Sequence, residues 1–450
     1  MPSLGLLGLA AVLRQKGYLV KIVESASLGL SISKTLGHIL REKPDYVGIT
    51  CTTVSVEHAG KIAQSVKEAD PGILLFVGGP HITALPGETF RRYPSFDYGI
   101  LGEGERAFAE LLEAIEGKGD LKKVPSAVFR EGPQVTVNPR RKFIENLDRL
   151  PFPAFDLLPS FPRKYRPPLL NYLRGPAASL ITSRGCPEVC TFCDRSVFGN
   201  RYRHFSEGYL GELIGHLRAK YGIRHFIFAD DQFTASRTRL VRFCEKLLKE
   251  NIKIRWNCDA RVDSVDSEML KLMRRAGCWM ISYGVESGSQ EILDRVQKGI
   301  RLEQAEETVH RTKEAGIRAK GLFMIGYPEE TAQTLTQTLQ FMLHGPFNEV
   351  NLSILTPYPG TAIYAAIKKD PTFVEDWGRM NALHLLYTPK NISQAAIEDA
   401  YRRILRKFYM RPGITFSYLG LLLRSPENCA RLLASLGLRL YTLLKSPAAP

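Results

Sequence analysis

Cys186-Pro-Glu-Val-Cys190-Thr-Phe-Cys193 decides how this chain is read. Three cysteines at this spacing let one short loop hold three corners of an iron-sulfur cube, and thiolates are the usual ligands of four-iron clusters. The fourth iron is left without a protein ligand, and a metal with an open position can bind and activate a small molecule. The loop therefore reads as reactive rather than structural. Two other readings compete. Structural zinc normally takes four ligands in paired groups, and the sequence has no partner CxxC or HxxxH. A disulfide fits less well, because Cys51, Cys244, Cys258, Cys278 and Cys429 are scattered and mostly sit in apolar segments. Buried thiols of a reducing compartment look like that.

Outward from this loop, apolar or β-rich runs at 179–182, 225–229, 254–257, 279–284, 319–325 and 350–354 alternate with helical patterns at 209–221, 238–250, 267–276, 302–315 and 331–343. Repeated βα units imply a parallel sheet with helices outside. Upstream lies a second α/β unit. Short buried strands are expected at 18–24, 45–51, 73–77 and 98–101, with helices at about 4–16, 33–42, 56–69, 87–93 and 104–117. This is a doubly wound, Rossmann-like pattern, in which a ligand sits beyond the strand C-termini. Thr50 to Thr53, Gly78-Gly79-Pro80-His81 and Gly102-Glu103-Gly104-Glu105 fall there. Small residues at such turns let a flat ligand lie against backbone.

The CxxxCxφC run, with Phe192 as the aromatic before the last cysteine, resembles the signature of the radical S-adenosylmethionine (SAM) enzymes. That resemblance implies a partial (β/α)6 barrel with its active site at the C-terminal strand ends. It implies that Cys186, Cys190 and Cys193 hold a [4Fe-4S] cluster whose open iron chelates SAM, and that SAM is cleaved to methionine and a 5'-deoxyadenosyl radical. Carried over residue by residue, Asp231 and then Asp230 match the acidic motif that binds the SAM amino group. Arg261 suits the SAM carboxylate, and Glu286, in Glu286-Ser287-Gly-Ser, matches a ribose-binding carboxylate. Gly326-Tyr-Pro328-Glu-Glu330-Thr331 resembles the segment beside the adenine. On residue chemistry alone each has a plainer alternative: Asp230-Asp231 can cap a helix, and the glycines near 284 can serve a turn.

The N-terminal pattern, with Val-Gly-Ile-Thr50, Val-Gly78-Gly79-Pro-His81 and Leu-Gly102-Glu103-Gly104-Glu, looks like the cobalamin-binding domain found ahead of the barrel in class B radical SAM methyltransferases and their relatives. The resemblance implies cobalamin held by Thr50, Thr52, Gly78, Gly79, His81, Gly102, Glu103 and Gly104. The DxHxxG motif of base-off/His-on proteins is absent. His81 is either close to the corrin or a turn residue that packs locally. The chain opens in what should be the first helix, so the strand that normally precedes it, in mid-sheet, is missing. Losing it would leave two neighbours with unpaired backbone groups. The expectation is a natural product that starts further upstream.

The domains expected are therefore a cobalamin-binding unit at 1–137, a Pro- and Arg-rich extended linker at 138–176, a radical SAM barrel at 177–370 and a C-terminal helical region at 371–450. The helical region, with amphipathic basic helices at 392–409 and 426–444, is expected to pack over the barrel mouth. A length of 450 residues with 44% apolar and 24% charged residues is ordinary for a globular chain of two or three domains. No run suits a transmembrane helix and no signal peptide is seen, so the expected compartment is the cytoplasm. The net charge of +15 is spread over helix faces, which argues against a nucleic-acid partner. The apolar run at 418–424 beside basic residues is compatible with peripheral membrane contact, although core is the plainer reading.

The function implied is methyl transfer to an unactivated carbon through the 5'-deoxyadenosyl radical and methylcobalamin, on a small-molecule or lipid-like substrate, with flavodoxin or ferredoxin as reductant. One alternative keeps the cofactors and changes the reaction to oxidative cyclisation or ring contraction of tetrapyrrole or hopanoid type. Another is a non-catalytic iron-sulfur or cobalamin-binding protein.

Overall fold

A computed structural model describes residues 1–169, 171–173, 175–423, 425 and 427–432. The first sheet contains β1 (Tyr46–Thr50), β2 (Leu74–Gly78), β3 (Tyr98–Ile100), β4 (Ala127–Glu131) and β5 (Gln134–Val137), in that spatial order. β1, β2 and β3 are parallel, with helix Val56–Ala69 crossing from β1 to β2 and Pro80–Ala84 and Pro86–Arg92 crossing from β2 to β3. β4 and β5 extend the sheet as an antiparallel hairpin. Sequence reading missed that hairpin. Its signal is present in part, since Gln134-Val135-Thr136-Val137 alternates in polarity directly after the turn-forming Gly132-Pro133.

Residues 18–24, expected as a strand, form none. A strand needs a neighbour for its N–H and C=O groups, and among the described residues the sheet stops at β1, which pairs only with β2. The segment instead runs along one wall of a cavity of about 1620 Å³, with β1 and helix Leu4–Gln15 on other walls. Leu19 is 93% exposed. A run of strand-forming residues with no ladder to join stays as extended chain, and β1 is an edge strand where a doubly wound sheet would place an inner one.

The second unit contains β6 (Ala177–Leu180), a small antiparallel hairpin of β7 (Ser183–Arg184) and β8 (Arg203–His204), then β9 (His225–Phe228), β10 (Arg255–Ala260), β11 (Cys278–Glu286), β12 (Arg318–Ile325) and β13 (Glu349–Ile354). Its six-stranded sheet is wholly parallel in the order β13-β12-β11-β10-β9-β6. Each strand thus lies beside its predecessor, as in the partial (β/α)6 barrel expected. Helices Glu207–Tyr221, Arg237–Lys249, Ser267–Arg275 and Ala332–His344 start where Ser206, Ser236, Asp266 and Thr331 accept a hydrogen bond from the backbone N–H three residues on. In the core, Phe228, Phe233, Phe243 and Trp256 form a fully buried aromatic group.

Residues 138–176 do not hang free between the units. Ile144, Leu147, Phe155, Leu158 and Tyr165 are buried in the core of the second unit, so the stretch is an apolar strap. The C-terminal region divides, and only part of it lies at the mouth. There Leu385 approaches Gly326, Ile354 N–H donates to the Ala382 carbonyl at 2.9 Å, and Trp377, Met380 and Leu386 pack into the core of the first unit. Helix Gln394–Tyr409 packs outside, on β13 and helix Ala332–His344. Helix Pro412–Leu423 lies at the opposite end of the barrel: Leu421 packs on Trp279 and Met280 at the start of β11, and Arg318 Nη1 at the start of β12 donates to Ser417 Oγ at 2.8 Å. The tail expected over the mouth is corrected accordingly; apolar complementarity with the strand N-termini takes this helix below the barrel. Most of the helix expected at 426–444 lies outside the described residues. Among the described residues no helix is long and apolar enough to cross a membrane.

Candidate active site

The β7–β8 hairpin closes the base of the loop that carries Cys186, Cys190 and Cys193. Gly185 enters the loop at φ +80°, and a Cβ there would lie 2.4 Å from the Arg201 carbonyl oxygen. Only glycine allows the chain to turn so close to its returning arm. Thr191 N–H donates to the Val296 carbonyl at 3.0 Å and ties the far side of the loop to the barrel. Burial raises all three thiols. Cys193 keeps solvent access, yet desolvation within the loop's concavity pushes it up to about 12, with the charges of Cys190, Asp231 and Cys186 adding. Burial also raises Cys190, against the opposing charges of Lys298 and Arg261.

The donor set fits a cluster. The thiols are near enough to feel one another's charge, and thiolates are the usual donors to such a cube. Separate donors to three different irons are what a four-iron cube requires, and metal binding would displace the thiol protons.

The strand ends place the other expected residues around this loop, in unequal roles. Asp231 accepts from Gly185 N–H at 3.2 Å, and burial raises its carboxyl. It faces the cavity. Asp230 does not: its carboxylate accepts from Thr182 N–H at 2.5 Å, from Ser183 N–H at 3.1 Å and from the Thr182 hydroxyl. Its valences are spent fixing the turn after β6. Arg261 is likewise occupied. It makes a forked pair with Asp263 at 2.9 and 2.8 Å, donates to the Lys298 carbonyl at 2.8 Å and meets Glu188 of the cysteine loop at 3.3 Å. Glu286 pairs with Lys298 Nζ at 2.9 Å. Ser287 is buried, with its hydroxyl 3.2 Å from Thr338 Oγ1. Gly326, at φ +90°, donates to Glu330 Oε2 at 3.0 Å, so that turn is closed by its own acid. The Phe192 ring centroid lies 6.2 Å from that of Tyr327.

On the other side, Thr50, Thr52, Gly78, Gly79, Gly102, Glu103 and Gly104 all border the large cavity, which Arg184, Asp194 and Phe198 border from the cysteine hairpin and Asp231 from the end of β9. Gly79 makes the closest turn, at φ +103°; a Cβ there would lie 2.6 Å from the Cys51 carbonyl oxygen. Glu103 borders the cavity but its carboxylate is used elsewhere. It accepts from Arg184 Nη1 at 2.9 Å, Arg203 Nη1 at 2.8 Å and Ile144 N–H at 2.8 Å. Glu105 takes the other arm of Arg184. The turn of the first unit is therefore ion-paired to the residue two before Cys186. Sequence reading missed Arg184, Arg203, Glu188 and Lys298, because single charged residues gain partners only through the fold.

His81 points away from this cavity. Its ring packs edge-on against Trp377, centroids 4.5 Å apart, with Nδ1 3.2 Å from Thr53 Oγ1. The local-packing alternative describes it. Desolvation, assisted by Arg92, holds its pKa down at about 4, and burial does the same to His225, also at about 4. His225 Nε2 lies 3.0 Å from Asn257 Oδ1 and 3.1 Å from Trp279 Nε1. Both pKa values are lowered by folding, so their stabilisation is complete above the unfolded value near 6.5 and is lost as pH falls toward 4. Lowering the pH from 7 to 5 is expected to cost about 2 kcal/mol for each histidine. Urea midpoints across that range measure it, and His81→Gln should flatten part of the slope.

Comparison with known proteins matches two stretches of the chain to families. Residues 180–342 match the Radical SAM superfamily, and residues 1–112 match the B12 binding domain. The chain is 32% identical over 415 residues to the uncharacterized methyltransferase PH0819 of Pyrococcus horikoshii, covering 92% of this chain and 89% of the relative. It is 28% identical to the anaerobic magnesium-protoporphyrin IX monomethyl ester cyclase of Rubrivivax gelatinosus, covering 89% of this chain and 72% of that one. Among solved structures, the fold is shared with the radical SAM methyltransferase TsrM from Kitasatospora setae (TM-score 0.70, 18% identity, 88% of this chain and 81% of that one). It is shared too with the cobalamin-dependent SAM radical enzyme OxsB (TM-score 0.73, 19% identity, 98% and 73%). Fold and loop together define a radical SAM enzyme. The chain belongs to the cobalamin-dependent branch of that family, whose cofactors are a [4Fe-4S] cluster, SAM and cobalamin.

Proposed function

We propose that this enzyme transfers a methyl group to an unactivated carbon of a small-molecule substrate. The observation that carries the reading is the single cavity bordered both by the strand-end turns of the first unit and by the cysteine hairpin. When bound there, the cofactors would supply a 5'-deoxyadenosyl radical and a transferable methyl group, while the protein orients them and excludes water. In this reading residues 1–137 hold cobalamin, residues 177–370 form the catalytic barrel, and residues 138–176 strap the two together. Cys186, Cys190 and Cys193 hold the cluster. Asp231 receives the SAM amino group, Glu286 the ribose, and the turn at Gly326 lies beside the adenine. Arg261 braces Glu188 in the cysteine loop, and a SAM carboxylate would have to displace that contact to reach it. Thr50, Thr52, Gly78, Gly79, Gly102 and Gly104 form the corrin-facing surface; Glu103 supports it from behind. A flavodoxin or ferredoxin would serve as reductant, and the substrate can be lipid-like.

Anaerobic reconstitution followed by incubation with SAM and dithionite tests this. Iron and sulfide filling the loop, cobalamin bound near one per chain, and release of 5'-deoxyadenosine are expected. A filled cluster without 5'-deoxyadenosine would remove the reading. The cyclase relative supports a second reaction on the same site, in which substrate turns over without forming S-adenosylhomocysteine.

A further inference from the structure

We infer that Lys298 is a positioning residue for SAM, holding the Glu286 carboxylate in the orientation from which it meets the ribose. The inference rests on the ribose reading of Glu286 given above. At the end of β11 the pairing with β12 slips: Gly284 lies opposite Leu322 and Glu286 opposite Phe323, which leaves Val285 as an extra residue. Such a bulge re-aims the side chain that follows it. Glu286 itself sits at φ +73°, a left-handed conformation that residues with side chains seldom adopt and that clusters at functional sites.

The re-aimed carboxylate meets Lys298 Nζ through Oε1 at 2.9 Å, with the Glu286 and Lys298 side chains 14% and 8% exposed. Oε2 has no partner among the described residues and remains available to a ribose hydroxyl. The pair lies directly on bare backbone: a Cβ at Gly284 would come within 2.6 Å of Glu286 Oε1 and 3.0 Å of Lys298 Nζ. Lys298 is fixed in turn. Its carbonyl accepts from Arg261 Nη1 at 2.8 Å, its ammonium lies 5.9 Å from the Phe192 ring centroid, and two residues earlier Val296 accepts from Thr191 in the cysteine loop. The lysine therefore spans from the loop that holds the cluster to the strand end that holds the ribose acceptor. A flexible carboxylate would lose rotamer freedom on meeting its ligand, and a clamped one has lost it already.

The test compares binding of SAM and of its 2',3'-dideoxyribose analogue to the reconstituted full chain by equilibrium dialysis. Wild type is expected to prefer SAM by about tenfold, the effect of one charge-assisted hydrogen bond. Lys298→Met should lose that preference with iron and sulfide content unchanged, and Lys298→Arg should restore part of it. A purely structural lysine would weaken both ligands alike and leave the ratio intact. If Glu286→Gln abolishes the preference and Lys298→Met keeps it, the inference about Lys298 is overturned alone. If Glu286→Gln also keeps the preference, the ribose role of Glu286 falls with it. Should Lys298→Met fail to fold, Lys298→Gln gives the same comparison with a smaller change in polarity.

Discussion

Cys190→Ala is expected to abolish both cluster assembly and SAM cleavage, with iron and sulfide far below one cluster per chain and 5'-deoxyadenosine at background. Cys190 is the most enclosed of the three thiols, 7% exposed, and in the proposed cluster each thiol would serve its own iron, leaving no neighbour to substitute for it. Loss of groups that merely support a metal ligand already costs roughly 10–100-fold in affinity or activity, and loss of the ligand itself exceeds that. The protein should nonetheless fold. The loop is anchored through backbone, by Thr191 on Val296 and by Cys193 N–H on the Cys190 carbonyl at 3.3 Å, and neither bond needs the sulfur. An unfolding midpoint within about 1 kcal/mol of wild type is expected. Cys51→Ala is the control. That thiol is 2% exposed and pushed up to about 12 by burial alone, so its loss should leave cluster content unchanged. Retained SAM cleavage by Cys190→Ala with a full complement of iron would refute the ligand assignment.

The barrel was legible in the sequence because its signals are local. Apolar runs, side-chain caps such as Ser206 and Asp266, and the cysteine spacing each specify their element without long-range information. The strand expected at 18–24 failed for the opposite reason: strand composition is a local property, but a strand exists only if a partner edge meets it. His81 failed similarly. Its place after β2 is written in the sequence, whereas the Trp377 ring that packs against it comes from nearly 300 residues downstream. Asp230 and Asp231 show the limit most sharply. The adjacent carboxylates are indistinguishable by type, and the fold turns one inward onto Thr182 and Ser183 and the other toward the cysteine loop.

The buried ion pairs beneath the cysteine hairpin set the second large effect. Glu103→Gln is expected to destabilise the protein by about 3–5 kcal/mol, because removing one member of a buried charge network leaves the others uncompensated. Glu103 and Arg203 are 4% and 3% exposed and Arg184 is 10% exposed, so water cannot replace the missing charge. Arg184 would keep Glu105, but Arg203 would keep the carbonyls of Ile144 and Phe198 and the face of Phe143, with no carboxylate among the described residues. Adding Arg203→Met to Glu103→Gln should therefore recover part of the loss, since the double variant no longer buries that orphaned cation. By contrast, breaking the exposed pair of Lys123 and Asp120, 85% and 50% exposed, should cost less than about 1 kcal/mol. Urea unfolding of the four chains measures all of this. The network joins the turn at Gly102–Gly104 to the residue two before Cys186, so its loss should also loosen one unit against the other, seen as faster hydrogen exchange at both segments. An unchanged Glu103→Gln midpoint would mean that the strap at 138–176 and the Trp377 clamp hold the units together, and that these charges only set the direction in which the cluster loop faces.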